Sequence, residues 1–444
     1  MWSISVIFLG VVLMLQTARP AHANDLMRLY QLALTRDTMV QAAKYQRDAA
    51  IEARPQALSQ WLPQVSGTGS RERQFNIEDC TRANVATVHC NANITSYGLT
   101  LTQTVWSYEA YSRLKQADVQ AASAEATYVS AQQDLLLRVA QAYFAVLGAQ
   151  DQLSTLRLER EAYAMQLRQA QDRARTGLGS RSDLEQAKSF YDLTAQNLIN
   201  AQNALDDARL NLATIVGEPP GQMAPLMVEI PLTAPDPASA EAWVDSALRD
   251  NPDVRAAELT TQAAERDIWV QRGKAMPTIS LAGTDARSIG PLAVGGDNTA
   301  AIGVYFNWPL FQGGAVTSAV RQSRALYHQS VTNLEATKRD RAQQTRAAYR
   351  NILAGIESIN AAHHAEESAY TAMQAARHDI EFNVSPEFIL LQYQAQYYQA
   401  VNAYDQARYS YLANVLILKQ QAGRLAERDL AIIDSLLVTA GIQQ

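Results

Sequence analysis

The chain has 444 residues, with 38 Lys and Arg against 44 Asp and Glu, so it carries a formal net charge of −6 and is long enough for roughly two to four ordinary domains. Its basic residues are scattered rather than clustered, which argues against a nucleic-acid partner. Hydrolase elbows, phosphate loops and metal-ligand spacings are absent, so neither catalysis nor a resident metal or cofactor is expected.

Residues 1–23 read as a signal peptide: "ISVIFLGVVLML" is an apolar run too short for a membrane helix, and Ala21-His22-Ala23 supplies a cleavage pattern. That implies export, in a bacterium with a periplasm. In an oxidising compartment Cys80 and Cys90, the only cysteines, are expected to form a disulfide that staples a loop tip. Together with His89 they are too few for a metal site.

From Asn24 onward the chain reads twice, as 24–217 and 239–426. "LALTRDTMVQAAKYQRDAAIEA" at 32 answers "SALRDNPDVRAAELTTQAAERD" at 246. "WLPQVSGTGS" at 61 answers "AMPTISLAGT" at 275. Tyr143 answers Tyr349, and Gly217 answers Gly423. Between the copies, 218–238 holds six of the fourteen prolines and reads as an extended linker; 427–444 follows as a tail.

Each copy opens with helix and then alternates. In the first, Tyr97, Leu99 and Leu101 alternate with Ser96, Gly98, Thr100 and Thr102. In the second, Ile302, Val304, Phe306 and Trp308 alternate with Ala301, Gly303, Tyr305 and Asn307. Period-2 alternation with an aromatic at one end suits a lipid-facing barrel strand, and a half-buried soluble hairpin has the same pattern. Strand hairpins are expected at about 64–106 and 277–310. Four strands cannot close a barrel, and lipid does not tolerate open edges, so copies would have to pool strands; three copies give twelve.

Long helices come next. Between Arg113 and Thr176 there is no Pro and only Gly148; between Ala315 and Ser385 there is no Pro and only Gly355. A helix of some 65 residues is about 100 Å long, which implies a coiled coil or helical barrel. Leu135, Val139, Ala142, Val146, Ala149, Leu153 and Leu156 form a heptad seam, and Thr345, Ala348, Ile352, Gly355, Ile359 and Ala362 keep the register. An ordinary two-stranded coiled coil fits that stripe equally well.

Both long helices are interrupted, at about 176–182 and 383–387. Gly177 and Gly179 stop the first, and Ser180 with Asp183 resembles a capping box for the next helix. At the second, Ser385-Pro386-Glu387 reads as N-cap, Pro at the first helical position and an acid in the first turn. Both are expected to be turns between antiparallel helices. His363 and His364 are adjacent on a helix and point to different faces, so they do not chelate together. Asn93-Ile94-Thr95 matches a glycosylation sequon by chance.

The pieces "WLPQVSG", "LTLTQTVW", "WPLFQGGAV", "TGLGSRSDL" and "ARYSYL", in this order and spacing, resemble the TolC family of outer-membrane channels over essentially all of the mature chain. The resemblance implies an α+β membrane protein: a homotrimeric channel-tunnel with an internal tandem repeat. Its twelve-stranded β-barrel would sit in outer-membrane lipid, above an α-helical barrel in the periplasm. It further implies a passive exit duct for an efflux pump or type I secretion system, gated at the periplasmic hairpin tips. The partners would be a periplasmic adaptor protein and an inner-membrane transporter of ABC, RND or MFS type.

By the resemblance, adaptor contact falls on Thr176, Gly177 and Leu178 at one turn and on Val384, Ser385 and Pro386 at the other. Asp183 stands where the family has a latch aspartate. The family's two constriction aspartates become Ile389 and Gln392, its latch tyrosine becomes Phe382, and its latch arginine has no counterpart. Glu387 is a candidate substitute carboxylate, and Ile389 with Leu390 a candidate apolar constriction. The competing reading is a periplasmic coiled-coil adaptor or structural protein, a class with one helical hairpin and compact β modules. The nine methionines are not clustered, so nothing favours a copper or silver pump.

Overall fold

A computed structural model describes residues 25–77, 90–177, 179–289, 297–382 and 387–438. The leader 1–23, Cys80 with the 78–89 loop, Leu178, and Val384 to Pro386 lie outside the described residues.

The first half runs α1 (Asp25–Arg36), α2 (Thr38–Ile51), α3 (Ala53–Ser59), β1 (Gln64–Ile77), β2 (Cys90–Ser107), α4 (Tyr108–Arg175) and α5 (Arg181–Val216). The second runs α6 (Ala240–Asp250), α7 (Pro252–Gly273), β3 (Thr278–Ile289), β4 (Asp297–Asn307), α8 (Ala315–Glu381) and α9 (Glu387–Gln421), with α10 (Glu427–Asp434) after it. The same parts thus recur in the same order. The breaks between short helices also correspond: Asp37 Oδ1 accepts from the Val40 N–H at 2.8 Å, and Asn251 Oδ1 accepts from the N–H groups of Asp253 and Val254. Each caps its second helix, leaving Val40 and Val254 buried in matching places.

Helices α4 and α8 have 68 and 67 residues, about 100 Å each. Ser107 Oγ starts α4 by accepting from the Ala110 N–H, and Glu109 and Arg175 complement the dipole at its two ends. Helix α5 folds back along α4, and α9 along α8. Neither long helix is amphipathic along its whole length, because the face it buries changes from end to end as its neighbours change. Near the sheet end α4 packs on α2, α3 and α7; at mid-height it joins the main core; toward the tip it packs on α5 and α9.

The main core sits at mid-height. Leu135, Val139, Ala142, Val146, Leu153 and Leu156 of α4 and Ala348, Ile352 and Ile359 of α8 share it, joined through α9, which packs against both long helices. Both return helices stop at left-handed glycines, Gly217 (φ 79°) and Gly423 (φ 69°). At Gly423 the chain makes paired 5→2 and 6→1 bonds, from Gly423 N–H to Gln420 O and from Arg424 N–H to Lys419 O.

The 427–444 segment was expected to be a plain tail, but its first part belongs to this core. Leu430, Ile433 and Leu437 are buried, Asp434 accepts from the Leu26 N–H at 3.1 Å, and Val438 N–H donates to Pro225 O at 2.8 Å. The 218–238 linker crosses the core as a strap. Tyr143 Oη donates to Ala224 O at 3.1 Å, and Tyr411 Oη donates to Thr233 O and accepts from Thr233 N–H.

Candidate functional site

The four strands form one antiparallel sheet in the order β1-β2-β3-β4, so the β2–β3 ladder joins the halves. Its outer strands β1 and β4 each keep one unpaired edge within a single chain. The register Val65↔Leu101↔Gly283↔Ile302 and the pairs Leu281↔Val304 and Ile279↔Phe306 fix the faces. Because side chains alternate, Val65, Leu99, Leu101, Ile279, Leu281, Ile302, Val304 and Phe306 share one face. Ser66, Thr68, Thr100, Thr102 and Thr284 share the other. A bulge between Thr104 and Trp106 turns Trp106 onto the apolar face beside Ile279.

Most of these apolar side chains touch no core: Ile302 is 79% exposed and Val304 72%, and Tyr97, Leu99, Leu101, Phe306 and Trp308 are also exposed. A contiguous apolar face of this size needs a non-aqueous neighbour. Trp308, read above as a strand residue, stands just past the end of β4, exposed as are Trp106 and Phe306, which flank Ile279 on the apolar face. Cys90 opens β2, but the expected Cys80 partner lies outside the described residues.

At the far end of the long helices are the two turns. In the first, Thr176 Oγ1 donates to the carbonyls of Asp172 and Arg173, and Gly177 (φ 74°) takes the left-handed position. The expected capping box at Ser180 differs in detail: Ser180 Oγ accepts from Ser182 N–H at 3.1 Å, one residue short of Asp183. Asp183 is half-buried, and among the described residues of one chain no ion pair holds it. In the second hairpin Phe382 is 76% exposed at the end of α8 and Gln392 is exposed on α9. Glu387 is the first residue of α9.

Ile389 and Leu390, paired above as an apolar constriction, separate. Leu390 is 3% exposed and packs on Ala376 and Ile380 of α8, so it fills the hairpin's own seam and cannot line an opening. Ile389, half-buried, keeps part of its surface outward. The residue that the motif comparison missed is Leu391. It is 2% exposed and packs on Tyr163, Ala170 and Ala187 of the other hairpin, joining the two tips of one chain. Its sequence signal was weak, since one apolar residue in "FILLQ" reads like the next.

A second cluster that the sequence did not announce grips the strap at mid-height. Arg408 of α9 is buried; its Nη1 donates at 2.9 Å to the carbonyls of Met227 and Val228, and its Nη2 donates to Asp405. Tyr409 Oη donates at 2.5 Å to Asp151 of α4. Burial pushes the carboxyls of Asp151 and Asp405 up, against the pull of Tyr409 on the first and of Arg408 on the second. Burial and the nearby Asp151 charge push Tyr409 up as well.

Long helical hairpins rooted in a sheet whose outer face is apolar make an outer-membrane channel-tunnel, an exit duct that spans into the periplasm. A sequence profile for the family described as outer membrane efflux protein matches residues 29–218 and 243–424, and the chain belongs to that family. It is 31% identical over 430 residues to the outer membrane protein TolC of Salmonella enteritidis, covering 94% of this chain and 85% of that one. It is 29% identical over 426 residues to the alkaline protease secretion protein AprF of Pseudomonas aeruginosa, covering 93% and 87%. Among solved structures it matches the Campylobacter jejuni CmeC outer membrane channel with a TM-score of 0.79 at 16% identity, covering 99% of this chain and 98% of that one. This last likeness bears on the fold alone.

Proposed function

We propose that three copies of this chain close one twelve-stranded barrel in the outer membrane and one helical tunnel below it. The tunnel conducts cargo passively from an inner-membrane transporter and its periplasmic adaptor to the outside. The observation that carries this reading is the four-stranded sheet with an apolar outer face and two open edges. In lipid an open edge leaves N–H and C=O groups without partners at several kcal/mol each, and pairing β1 of one copy with β4 of the next removes the cost. The energy comes from the transporter, of ABC, RND or MFS type, since the sequence carries no phosphate-loop motif of its own.

The hairpin tips form the gate and the adaptor contact, through Thr176 and Gly177 with Leu178 at one turn and Val384, Ser385 and Pro386 at the other. Asp183, Phe382, Glu387, Ile389 and Gln392 border the opening. An apolar contact, Leu391 in the Tyr163–Ala170–Ala187 pocket, supplies the hold that a polar latch gives elsewhere. The names of the protease-secretion and efflux relatives point to a duct whose cargo is chosen by its partners.

Absolute mass by light scattering in detergent tests the assembly. The expected result is close to three times the chain mass of 48.8 kDa less its leader, with solubility only in detergent. A monomer or dimer soluble without detergent would mean that the apolar strand face meets water-soluble protein, and the coiled-coil adaptor reading would replace this one.

A further inference from the structure

Above the apolar band, the outward face of the sheet changes character. In the stretch Arg71-Glu72-Arg73 of β1, alternation sends both arginines to the apolar side and Glu72 to the polar side. Arg287 of β3 lies on the same outward face, paired across the ladder with Tyr97. All three arginines are exposed, and Arg73 sits over the Phe75 ring at 5.2 Å. The acid among them on this face is Asp285, two residues before Arg287.

Height follows from the register. From Ile279, beside Trp106, to Arg287 is a strand run of about 26 Å, or about 20 Å of barrel height at a usual tilt. Arg71 pairs with Thr95, about two further residues along, and Arg73 with Asn93, higher again. The lipid-facing band of an outer-membrane barrel is about 25 Å tall. The three arginines therefore stand at its upper rim, with Arg287 long enough to reach up to it. Below Asp285 on this face, Gly283 stands between Leu101 and Ile302 without a side chain. That leaves a shallow, mainly apolar trough of about 480 Å³ walled by Val65, Leu99, Leu101 and Ile302, with Asp285 at its upper end toward Arg287.

We infer that this face seats a phosphate-bearing lipid of the outer leaflet, its acyl chain in the Gly283 trough and its phosphates on Arg71, Arg73 and Arg287. The inference rests on the barrel reading above. Planar guanidinium groups bind phosphate oxygens in pairs and are weakly hydrated, so they suit a phosphate at the edge of lipid better than in open water. The apolar trough beneath them selects a phosphate that carries a chain over a free ion.

The test reconstitutes the mature protein into neutral phosphocholine bilayers. It then measures retention of bis-phosphorylated lipid A, of its dephosphorylated form and of inorganic phosphate. Wild type is expected to retain the bis-phosphorylated lipid about tenfold better than the R71Q/R73Q/R287Q variant, and better than the dephosphorylated lipid. Gly283→Leu, which fills the trough and leaves the arginines, is expected to reduce retention of both lipids. Equal retention by wild type and the arginine variant overturns the inference, and so does arginine-dependent capture of inorganic phosphate at comparable strength. Failure of wild type to enter the bilayer overturns the barrel reading and this inference with it. Insertion without arginine-dependent retention overturns the inference alone.

Discussion

Asp37 serves as both a helix cap and one half of an ion pair, and the two roles set its chemistry. Burial would raise its carboxyl, but the Arg138 guanidinium, at 3.0 Å and 3.1 Å, and the Val40 N–H outweigh burial and hold it below the usual carboxylate range. A depressed carboxyl contributes stability that is present above its unfolded value and lost as pH falls through the folded one. Denaturation of detergent-solubilised protein should therefore show Asp37→Ala about 2 kcal/mol less stable at neutral pH. The gap should narrow as pH drops below about 4. A gap that does not change with pH would mean that the cap, not the charge, carries the effect. At the matching place in the second half Asn251 caps without a charge, donating instead to Gln421 O at 2.9 Å, so Asn251→Ala should show no such pH dependence. Arg408→Met should cost about 3 kcal/mol, because it leaves the Met227 carbonyl and the half-buried Asp405 without this donor and the Val228 carbonyl with only the longer Tyr404 Oη bond. Limited proteolysis should then cut within 218–238 sooner than in wild type; an unchanged cleavage pattern would show that the two tyrosines suffice.

At the scale of elements, the helical hairpins and the two strand hairpins are assembled from local rules, and the proposed gate depends on how the helical hairpins meet. The turn at Gly177 follows from its φ of 74°, and Gly423 is needed twice over: its φ is 69°, and a Cβ there would stand 2.4 Å from Asp250 O. Asp183 has no ionic partner among the described residues of its chain, whereas Leu391 fills a pocket in the other hairpin. Two outcomes separate these residues in cells that rely on this duct. Asp183→Ala should change antibiotic sensitivity by no more than about twofold, the scale of a weak surface charge. Leu391→Ala, at about 2–4 kcal/mol of lost packing, should leave the duct clearly leaky. A strongly leaky Asp183 variant beside a tight Leu391 variant would return the latch to the polar site. The turns and strand alternation were legible in the sequence because they rest on glycines, caps and period-2 patterns within a few residues. The split between Leu390 and Leu391 was not. Successive helix residues point about 100° apart, so one residue of rotation decides whether a leucine fills its own seam or its neighbour's.

For the whole molecule, the sheet decides where the protein lives. Ile302→Arg on the apolar face, level with Gly283 near the middle of the band, should cost about 2–4 kcal/mol per copy and reduce the membrane-inserted fraction. Thr100→Arg, on the opposite face of the same sheet, should insert normally and change conductance in planar bilayers. If both variants insert alike, the apolar face does not meet lipid.

The repeat, the four strands, the long helices and their two breaks were determined by the sequence itself, since each is a pattern of neighbours close in the chain. Tertiary structure alone decided that Asp434, 408 residues along from Leu26, would cap it, that α10 would complete the core, and that Arg408 would clamp a linker some 180 residues earlier. It also decided which tip leucine joins the hairpins. The physical reason is common to all of these. A buried polar or apolar side chain takes its meaning from the partner that desolvates it, and here that partner lies far away in the chain.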